Sequence, residues 1–250
     1  MPSLYDNADF YDLIAPRDVA MEAFYRDRAL ENGPRVLELA CGSGRFAVPL
    51  ADAGLTVTGL DLAEPMLARA REAAAERNVG VELLAGDMRA FDLGDRRFET
   101  VMIAANSIMH LLTADDFRCF FRCVAKHLAP GGRLLFDCFV PSTRLLSRPG
   151  ERQPLTEVTH PKLGVVTIEE IIDYDPISQV ANTTWFWSTA TERDVQVTPL
   201  QMRQIYPQEL PLLLEANGFR LVQRFGDFER SPFGSASWRQ VCVCRLIDGV

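Results

Sequence analysis

The chain has 250 residues, of which 48% are hydrophobic and 24% charged, and its formal net charge is -8. This composition is typical of one globular domain, and no run approaches the ~20 apolar residues that cross a bilayer. The acidic balance disfavours nucleic acid, because phosphates attract clustered Lys and Arg. The first residues lack the basic and apolar regions of a leader peptide. We therefore expect a cytoplasmic protein with no membrane or nucleic-acid partner.

The first predicted elements are two helices. Residues 6–32 have a helical pattern that Pro16 interrupts, so one helix is expected on each side of it. Gly33 and Pro34 then break the chain before the first strand. We expect residues 1–33 to form an N-terminal helical cap.

A buried-strand pattern over residues 36–40 runs through Glu38 into a turn at Gly42 and Gly44. Two glycines one residue apart let the backbone turn sharply and approach a ligand, and a helix is predicted to follow. Residues 42–47 also match the relaxed dinucleotide pattern G-x-G-x-x-[GA], which leaves a nicotinamide or flavin cofactor open. The Glu38 carboxylate would repel a pyrophosphate, whereas it would attract the ammonium of S-adenosylmethionine, which has no phosphate.

The next two predicted strands also lead into acidic residues. The strand at 55–60 ends at Asp61, about 20 residues beyond the glycines, where an acid binds ribose hydroxyls in nucleoside-binding sheets. The strand at 81–85 leads through a glycine to Asp87 and Met88. Asp87 would accept a hydrogen bond from an adenine amino group, and Met88 offers an apolar contact to the ring. Together these features favour S-adenosylmethionine.

Five segments in order resemble the class I S-adenosylmethionine-dependent methyltransferases of the small-molecule type, with a domain of the type 11/25 kind. They are residues 38–44, 59–61, 86–88, 98–104 and 127–136. The resemblance implies an α/β fold with a Rossmann-like seven-stranded sheet, mostly parallel, whose last strand is reversed. It also implies a cofactor across the C-terminal ends of the first strands. The resemblance is clear over residues 35–140 and weaker over the C-terminal segment.

S-adenosylmethionine is the cofactor that the resemblance implies, with S-adenosylhomocysteine as product. Tyr11 either folds over this cofactor, where an aromatic face stabilises the sulfonium cation, or fastens the cap to the sheet. Glu38 could instead pair with Arg45. No metal is expected, because the cysteines lack paired ligand spacing with histidines and are expected to be buried thiols. The expected cofactor-binding residues are Tyr11, Glu38, Ala40, Gly42, Gly44, Arg45, Asp61, Leu62, Met66, Asp87, Met88, Ala104 and Asn106.

The segment after the fourth strand holds the expected catalytic residue. Asn106 and His110 lie at the C-terminal edge of the predicted sheet, where open α/β sheets bind ligands. A neutral His110 imidazole would remove a proton from a hydroxyl acceptor. The alternative is that this histidine, which stands among apolar residues, has only a packing role.

The remaining elements complete the predicted sheet. A helix over residues 114–129 is expected to begin at a Thr113 cap. Residues 155–206 are rich in β-branched and aromatic residues and contain a hairpin signature. This pattern predicts an inserted antiparallel β layer. Trp185 and Trp187 lie on one face of this layer. Three roles are open for them: packing in the core, lining an acceptor pocket, or contacting a partner subunit. The other expected divisions are a cofactor-binding core at 34–140, an inserted layer or lid at 141–206, and the C-terminal part of the core at 207–250.

These observations predict a methyltransferase acting on an N or O atom of a small molecule, with a homodimer through the β layer as a further expectation. Two alternatives remain open: an NAD-dependent oxidoreductase, based on the glycine pattern, and a non-catalytic protein that binds S-adenosylmethionine. No motif identifies the acceptor.

Overall fold

The computed structural model describes residues 3–147 and 150–247. The strands of these residues are β1 Arg35–Leu39, β2 Thr56–Asp61, β3 Glu82–Ala85, β4 Phe98–Ile103, β5 Leu128–Phe139, β6 Gln153–His160, β7 Gly164–Asp175, β8 Val180–Thr189, β9 Gln196–Arg203, β10 Phe219–Phe225 and β11 Arg239–Leu246. The α-helices are α1 Ala8–Ile14, α2 Val19–Asn32, α3 Ala47–Asp52, α4 Glu64–Glu76, α5 Ala114–His127, α6 Thr143–Leu146 and α7 Glu209–Glu215. Short 3-10 helices span Leu4–Asp6 and Ser107–His110.

The central sheet has seven strands in the order β10-β11-β5-β4-β1-β2-β3. Strands β1 to β5 pair in parallel, whereas β11 is antiparallel to both β5 and β10. Helices cover the parallel strands on both faces, so β1 is buried along almost its whole length. The predicted sheet, mostly parallel with a reversed last strand, is confirmed.

A second sheet, in the order β6-β7-β8-β9, is antiparallel throughout and forms the predicted inserted layer. Trp187 of β8 is fully buried, and its ring meets the edge of Phe10 from α1 with centroids 4.9 Å apart. The Trp187 Nε1 donates a hydrogen bond to Thr198 Oγ1 at 3.1 Å. Trp185 packs against the same apolar cluster. Of the three predicted roles, core packing is therefore the one that Trp187 has.

Helix boundaries follow local capping. Thr113 accepts a hydrogen bond from Asp116 N, and the Asp116 side chain accepts one from Thr113 N, which forms a capping box at the start of α5. The helix ends at His127, two residues before the predicted end at 129, because Leu128 is extended and begins β5. The cap region is divided as predicted, since α1 and α2 lie on opposite sides of Pro16.

Some expectations from the sequence concern the whole chain. The division into segments at 33, 140 and 206 stays a prediction, and residues 1, 2, 148, 149 and 248–250 lie outside the described part. No α-helix of the described ranges is both long and apolar enough to cross a membrane. Within the same ranges, no group of three or more His, Cys, Asp and Glu could hold a metal ion. All six cysteines are free thiols.

Candidate functional site

A cavity of about 400 Å³ lies at the C-terminal ends of β1 and β2, under the N-terminal segment. A smaller cavity of about 20 Å³ adjoins it beside the glycine turn. The larger cavity is lined by Ser3, Tyr5, Asp6, Tyr11, Ala40, Gly42, Leu60, Asp61, Leu62, Ala63, Met66, Gly86, Asp87, Met88, Arg89, Ser107 and His110. The smaller one is lined by Tyr11, Glu38, Ala40, Cys41, Gly42, Ser43, Arg45, Phe46, Ala104, Ala105 and Ser107.

The glycine turn after β1 adopts backbone conformations that favour glycine. Gly42 has φ +54° and Gly44 has φ +79°, both in the left-handed region. A Cβ on Gly44 would lie 3.0 Å from Val48 Cγ2 and 3.1 Å from Ala70 Cβ. Gly44 lines neither cavity; it lets α3 and α4 pack closely, whereas Gly42 contacts the cavity directly.

Asp61 connects the end of β2 to the glycine turn. Its Oδ2 accepts a hydrogen bond from Gly42 N at 2.7 Å, and its Oδ1 accepts one from Ala63 N at 2.8 Å. Burial raises the pKa of Asp61, and these backbone donors oppose part of that rise. Each oxygen of the Asp61 carboxylate has a second lone pair, so the carboxylate can still accept hydrogen bonds from a pair of ribose hydroxyls.

Glu38 is buried in β1 and has an oxygen with no partner. Its side chain is only 1% exposed, and Oε2 makes no hydrogen bond within the described part of the chain. Burial raises the pKa of Glu38 well above its usual range, while the positive charge of Arg45 opposes that rise. The alternative of a direct pair with Arg45 is not seen among the described residues, where Arg45 Nη1 donates instead to the Ala15 carbonyl at 3.1 Å. A buried carboxylate oxygen without a donor fits an incoming ammonium group.

Apolar side chains form another part of the lining. Met66, beside Gly42, and Met88 line the larger cavity, and so does the largely exposed Leu62. Asp87 also lines it, but Arg89 Nη2 donates to Asp87 Oδ2 at 2.6 Å. The hydrogen bonds from Arg89 hold the pKa of Asp87 below its usual value. Asp87 therefore faces the cavity as a paired carboxylate.

The loop after β4 is held by a buried acid. Ala105 and Asn106 both have positive φ, and Asp137 Oδ1 accepts a hydrogen bond from Ala105 N at 2.8 Å. Tyr25 donates to the same oxygen at 2.7 Å. Asn106, which was expected at the cofactor, lines neither cavity, whereas Ala104 lines the smaller one. Sequence reasoning missed Asp137, although an acid inside an apolar strand is a usable signal.

The N-terminal segment places two tyrosines over the cavity. Tyr11 lines both cavities, and its ring centroid lies 5.7 Å from that of Tyr5. The Tyr5 hydroxyl lies 2.7 Å from His110 Nε2. Ser43 Oγ donates to Asp12 at 3.1 Å, which ties α1 to the glycine turn. Tyr5 could not be recognised from the sequence, because its partner lies 105 residues away.

Burial sets the charge state at this end of the cavity. It lowers the pKa of His110 and raises the pKa of Tyr5, so both side chains are neutral near pH 7. Burial also raises the pKa of Tyr11. The site thus combines neutral aromatic and imidazole groups with two acids, the buried Glu38 and the partly buried Asp61.

A methyltransferase-domain family model matches residues 36–132. Over nearly the whole chain, the structure is similar to the CcbJ methyltransferase from Streptomyces caelestis, with a TM-score of 0.81 and 31% sequence identity. That match covers 93% of this chain and 97% of the other. The chain belongs to the class I S-adenosylmethionine-dependent methyltransferases.

Other members of this methyltransferase family are similar over part or most of the chain. The dTDP-4-amino-2,3,4,6-tetradeoxy-D-glucose N,N-dimethyltransferase of Saccharopolyspora spinosa is 36% identical over 135 residues, covering 51% of this chain and 52% of the relative. The glycopeptide N-methyltransferase MtfA, solved with S-adenosylmethionine, is 27% identical with a TM-score of 0.59 and coverage of 92% and 94%. The chain spans about half the length of the curated relatives it matches.

Family membership makes S-adenosylmethionine the cofactor and does not favour the NAD-dependent alternative. The residues present fit this cofactor, because Glu38 Oε2 has no donor among the described residues and Glu38 lines the smaller cavity together with Gly42. Which residues contact the cofactor, and whether His110 takes part in the reaction, stay predictions.

Proposed function

We propose that this protein transfers the methyl group of S-adenosylmethionine to a nitrogen or oxygen atom of a small molecule. The observation that carries the proposal is Glu38 Oε2, which has no hydrogen-bond partner in the described part of the chain and lies at the smaller cavity, next to the larger one that Asp61 and His110 line. A pyrophosphate would be repelled there, whereas a ligand with an ammonium and a ribose meets an acid for each.

S-adenosylmethionine supplies an electrophilic methyl group bonded to a sulfonium. The chain's own task is to hold the ammonium at Glu38 and the ribose at Asp61, with Met88 beside the adenine. The segment carrying Tyr5 and Tyr11 covers the cavity and excludes water, which strengthens the electrostatic interactions inside it. Catalysis then depends mainly on positioning, since an acceptor held about 3–3.5 Å from the methyl carbon needs little other help.

An amine is the acceptor that we place first. Several similar proteins are named as N-methyltransferases, among them the amino-sugar enzyme of Saccharopolyspora spinosa and the Streptomyces cypemycin N-terminal methyltransferase. The lining of the larger cavity includes neutral hydrogen-bonding groups, Ser107 and His110, together with the Asp6 carboxylate. A neutral amine or a hydroxyl would find acceptors there for its hydrogen atoms.

Calorimetry on the full chain tests the cofactor site. Asp61→Ala should weaken S-adenosylmethionine binding about 10- to 100-fold, because hydrogen bonds to a charged group are lost. Asp52→Ala, which removes an exposed carboxylate from α3, is the matched control and should leave the affinity unchanged. Equal effects of the two changes would contradict the assignment.

Methyl transfer is tested with labelled S-adenosylmethionine and a panel of nucleotide-linked amino sugars, peptide N-termini and phenols. The expected result is S-adenosylhomocysteine formation with at least one amine or phenol. Tight S-adenosylmethionine binding without product from any acceptor class would instead support the non-catalytic alternative.

We also propose a cytoplasmic location, a homodimer through the inserted sheet, and no nucleic-acid acceptor. Free thiols throughout suit a reducing compartment, and the negative net charge disfavours phosphate backbones. Exposed apolar side chains on the β6–β7 hairpin, Leu163 and Val165, support the dimer. Light scattering of Val165→Lys tests it, and an unchanged mass relative to the wild type would contradict this interface.

A further inference from the structure

Tyr5 and His110 form a hydrogen-bonded pair inside the larger cavity. The Tyr5 Oη lies 2.7 Å from His110 Nε2, and the two rings meet edge to face with centroids 5.6 Å apart. Both side chains line the cavity, Tyr5 from the 3-10 helix at residues 4–6 and His110 from the one at residues 107–110. In the described part of the chain, His110 is the only hydrogen-bond partner of the Tyr5 hydroxyl.

The tautomer of neutral His110 sets the direction of its hydrogen bond with Tyr5. Burial lowers the pKa of His110, and a backbone hydrogen bond at Gln201 in β9 opposes part of that fall. Because Nε2 faces Tyr5, a ring N–H that bonds to this backbone is on Nδ1. In that tautomer Nε2 is an acceptor, and the Tyr5 O–H donates to it. The Tyr5 oxygen keeps its lone pairs for a donor in the cavity.

We propose that the Tyr5 hydroxyl relays a proton from the methyl acceptor to His110 Nε2. This rests on the proposed methyl transfer and defines its acceptor as a group that carries an N–H or O–H. Because Tyr5 occupies Nε2, His110 does not contact the acceptor itself. Tyr5 is therefore the catalytic residue of the pair, and His110 stores the proton.

The proposed step balances. The acceptor's lone pair forms a bond to the methyl carbon, the carbon–sulfur bond breaks, and its electrons stay on sulfur. The acceptor's N–H or O–H proton passes to the Tyr5 oxygen while the original Tyr5 proton passes to Nε2. Tyr5 ends neutral, which suits a buried phenol whose pKa is raised by desolvation. The imidazolium of His110 later releases its proton to solvent.

The surroundings of His110 allow both of its charge states. Burial lowers its pKa, so the ring is neutral and ready to accept at pH 7, while the negative charge of Asp61 favours the imidazolium once it forms. Charged side chains also stand on the elements around His110: Asp61 at the end of β2, Asp137 of β5, which is bonded to the loop before the 3-10 helix, and Arg203 of β9, which is paired with Glu209. Asp6, Asp87 and Arg89 line the same cavity.

Nitrogen-15 NMR of the full chain tests the proton placement without any acceptor. The chain has three histidines, so His110→Asn assigns the His110 signals directly. The expected spectrum at neutral pH has a protonated Nδ1 and an unprotonated Nε2. A protonated Nε2 would overturn the relay, because that nitrogen could not then receive the Tyr5 proton.

Kinetics with the acceptor found by the panel test the transfer itself. Tyr5→Phe and His110→Asn should each lower kcat about 100-fold with S-adenosylmethionine affinity within about twofold of wild type, and the double variant should be no slower than either. The acid limb of the kcat–pH profile, which falls as His110 protonates, should disappear in His110→Asn. Tyr174→Phe, which removes a tyrosine hydroxyl far along β7, is the matched control.

The two proposals fail in different ways. A wild type that methylates no acceptor contradicts the proposed function. An active wild type whose Tyr5→Phe variant keeps both its kcat and its pH profile contradicts the relay alone.

Discussion

Gly44→Ala tests whether the glycine turn is required for close packing of α3 and α4. An alanine at φ +79° is strained by roughly 1–2 kcal/mol, because left-handed backbone brings Cβ close to the following carbonyl. Its Cβ would also lie 3.0 Å from Val48 Cγ2 and 3.3 Å from the Ala70 Cα, which belongs to helix backbone and cannot rotate away. Overpacking of this kind costs about 1–3 kcal/mol. The expected loss in free energy of unfolding is therefore about 2–5 kcal/mol.

Gly54→Ala is the matched control for that change. Gly54 has φ +88° but nothing within 4 Å of an added Cβ, so only the backbone strain of roughly 1–2 kcal/mol applies. Urea denaturation of both variants, followed by circular dichroism, isolates the packing contribution as their difference. Equal losses at the two positions would refute the argument that Gly44 is required by helix packing.

Three further changes test other parts of the structure. Glu38→Gln should raise the melting temperature of the ligand-free protein at pH 7, because burial raises the folded-state pKa of Glu38 and its carboxylate then costs stability as pH rises above the unfolded value. The same change should weaken S-adenosylmethionine binding in calorimetry, and a lower melting temperature would contradict the first expectation. Tyr25→Phe should cost about 1–3 kcal/mol in urea unfolding, since it removes a donor from buried Asp137, and a loss near zero would show that the bond is replaceable. Thr113→Ala should cost about 1 kcal/mol in the same assay through loss of the α5 cap, and an unchanged midpoint would exclude that role.

Local patterns predicted much of the fold. The strands around residues 36–40 and 55–60 were identified from apolar runs that lead into glycine or acidic residues, and the strand at 98–104 from the family resemblance. The structure places each within one or two residues. The Thr113 cap was likewise visible, because capping involves residues three apart. The C-terminal end of α5 was harder to predict from the sequence. Leu128 is extended because it pairs with β4, which is distant along the chain.

Residues of the candidate site could be predicted from the sequence only where a polar or glycine residue lies in or directly after the end of a strand. Glu38, Gly42 and Asp61 come together because parallel strands finish at one edge of the sheet. Asn106 stood in the same kind of position, yet it lines neither cavity, because hydrogen bonds to Asp137 turn its loop through left-handed backbone. That outcome depends on a side chain from another strand.

Local patterns along the chain were therefore enough to predict the main strands and helices of the central sheet, the glycine turn and the two acids that suit the cofactor. Only the folded chain shows that Glu38 Oε2 has no donor among the described residues, that Trp187 packs on Phe10, and that Tyr5 reaches His110. The difference is one of separation along the chain. Capping, turns and strand patterns involve neighbours along the chain, whereas burial and a hydrogen bond across 105 residues exist only once the N-terminal segment closes over the sheet.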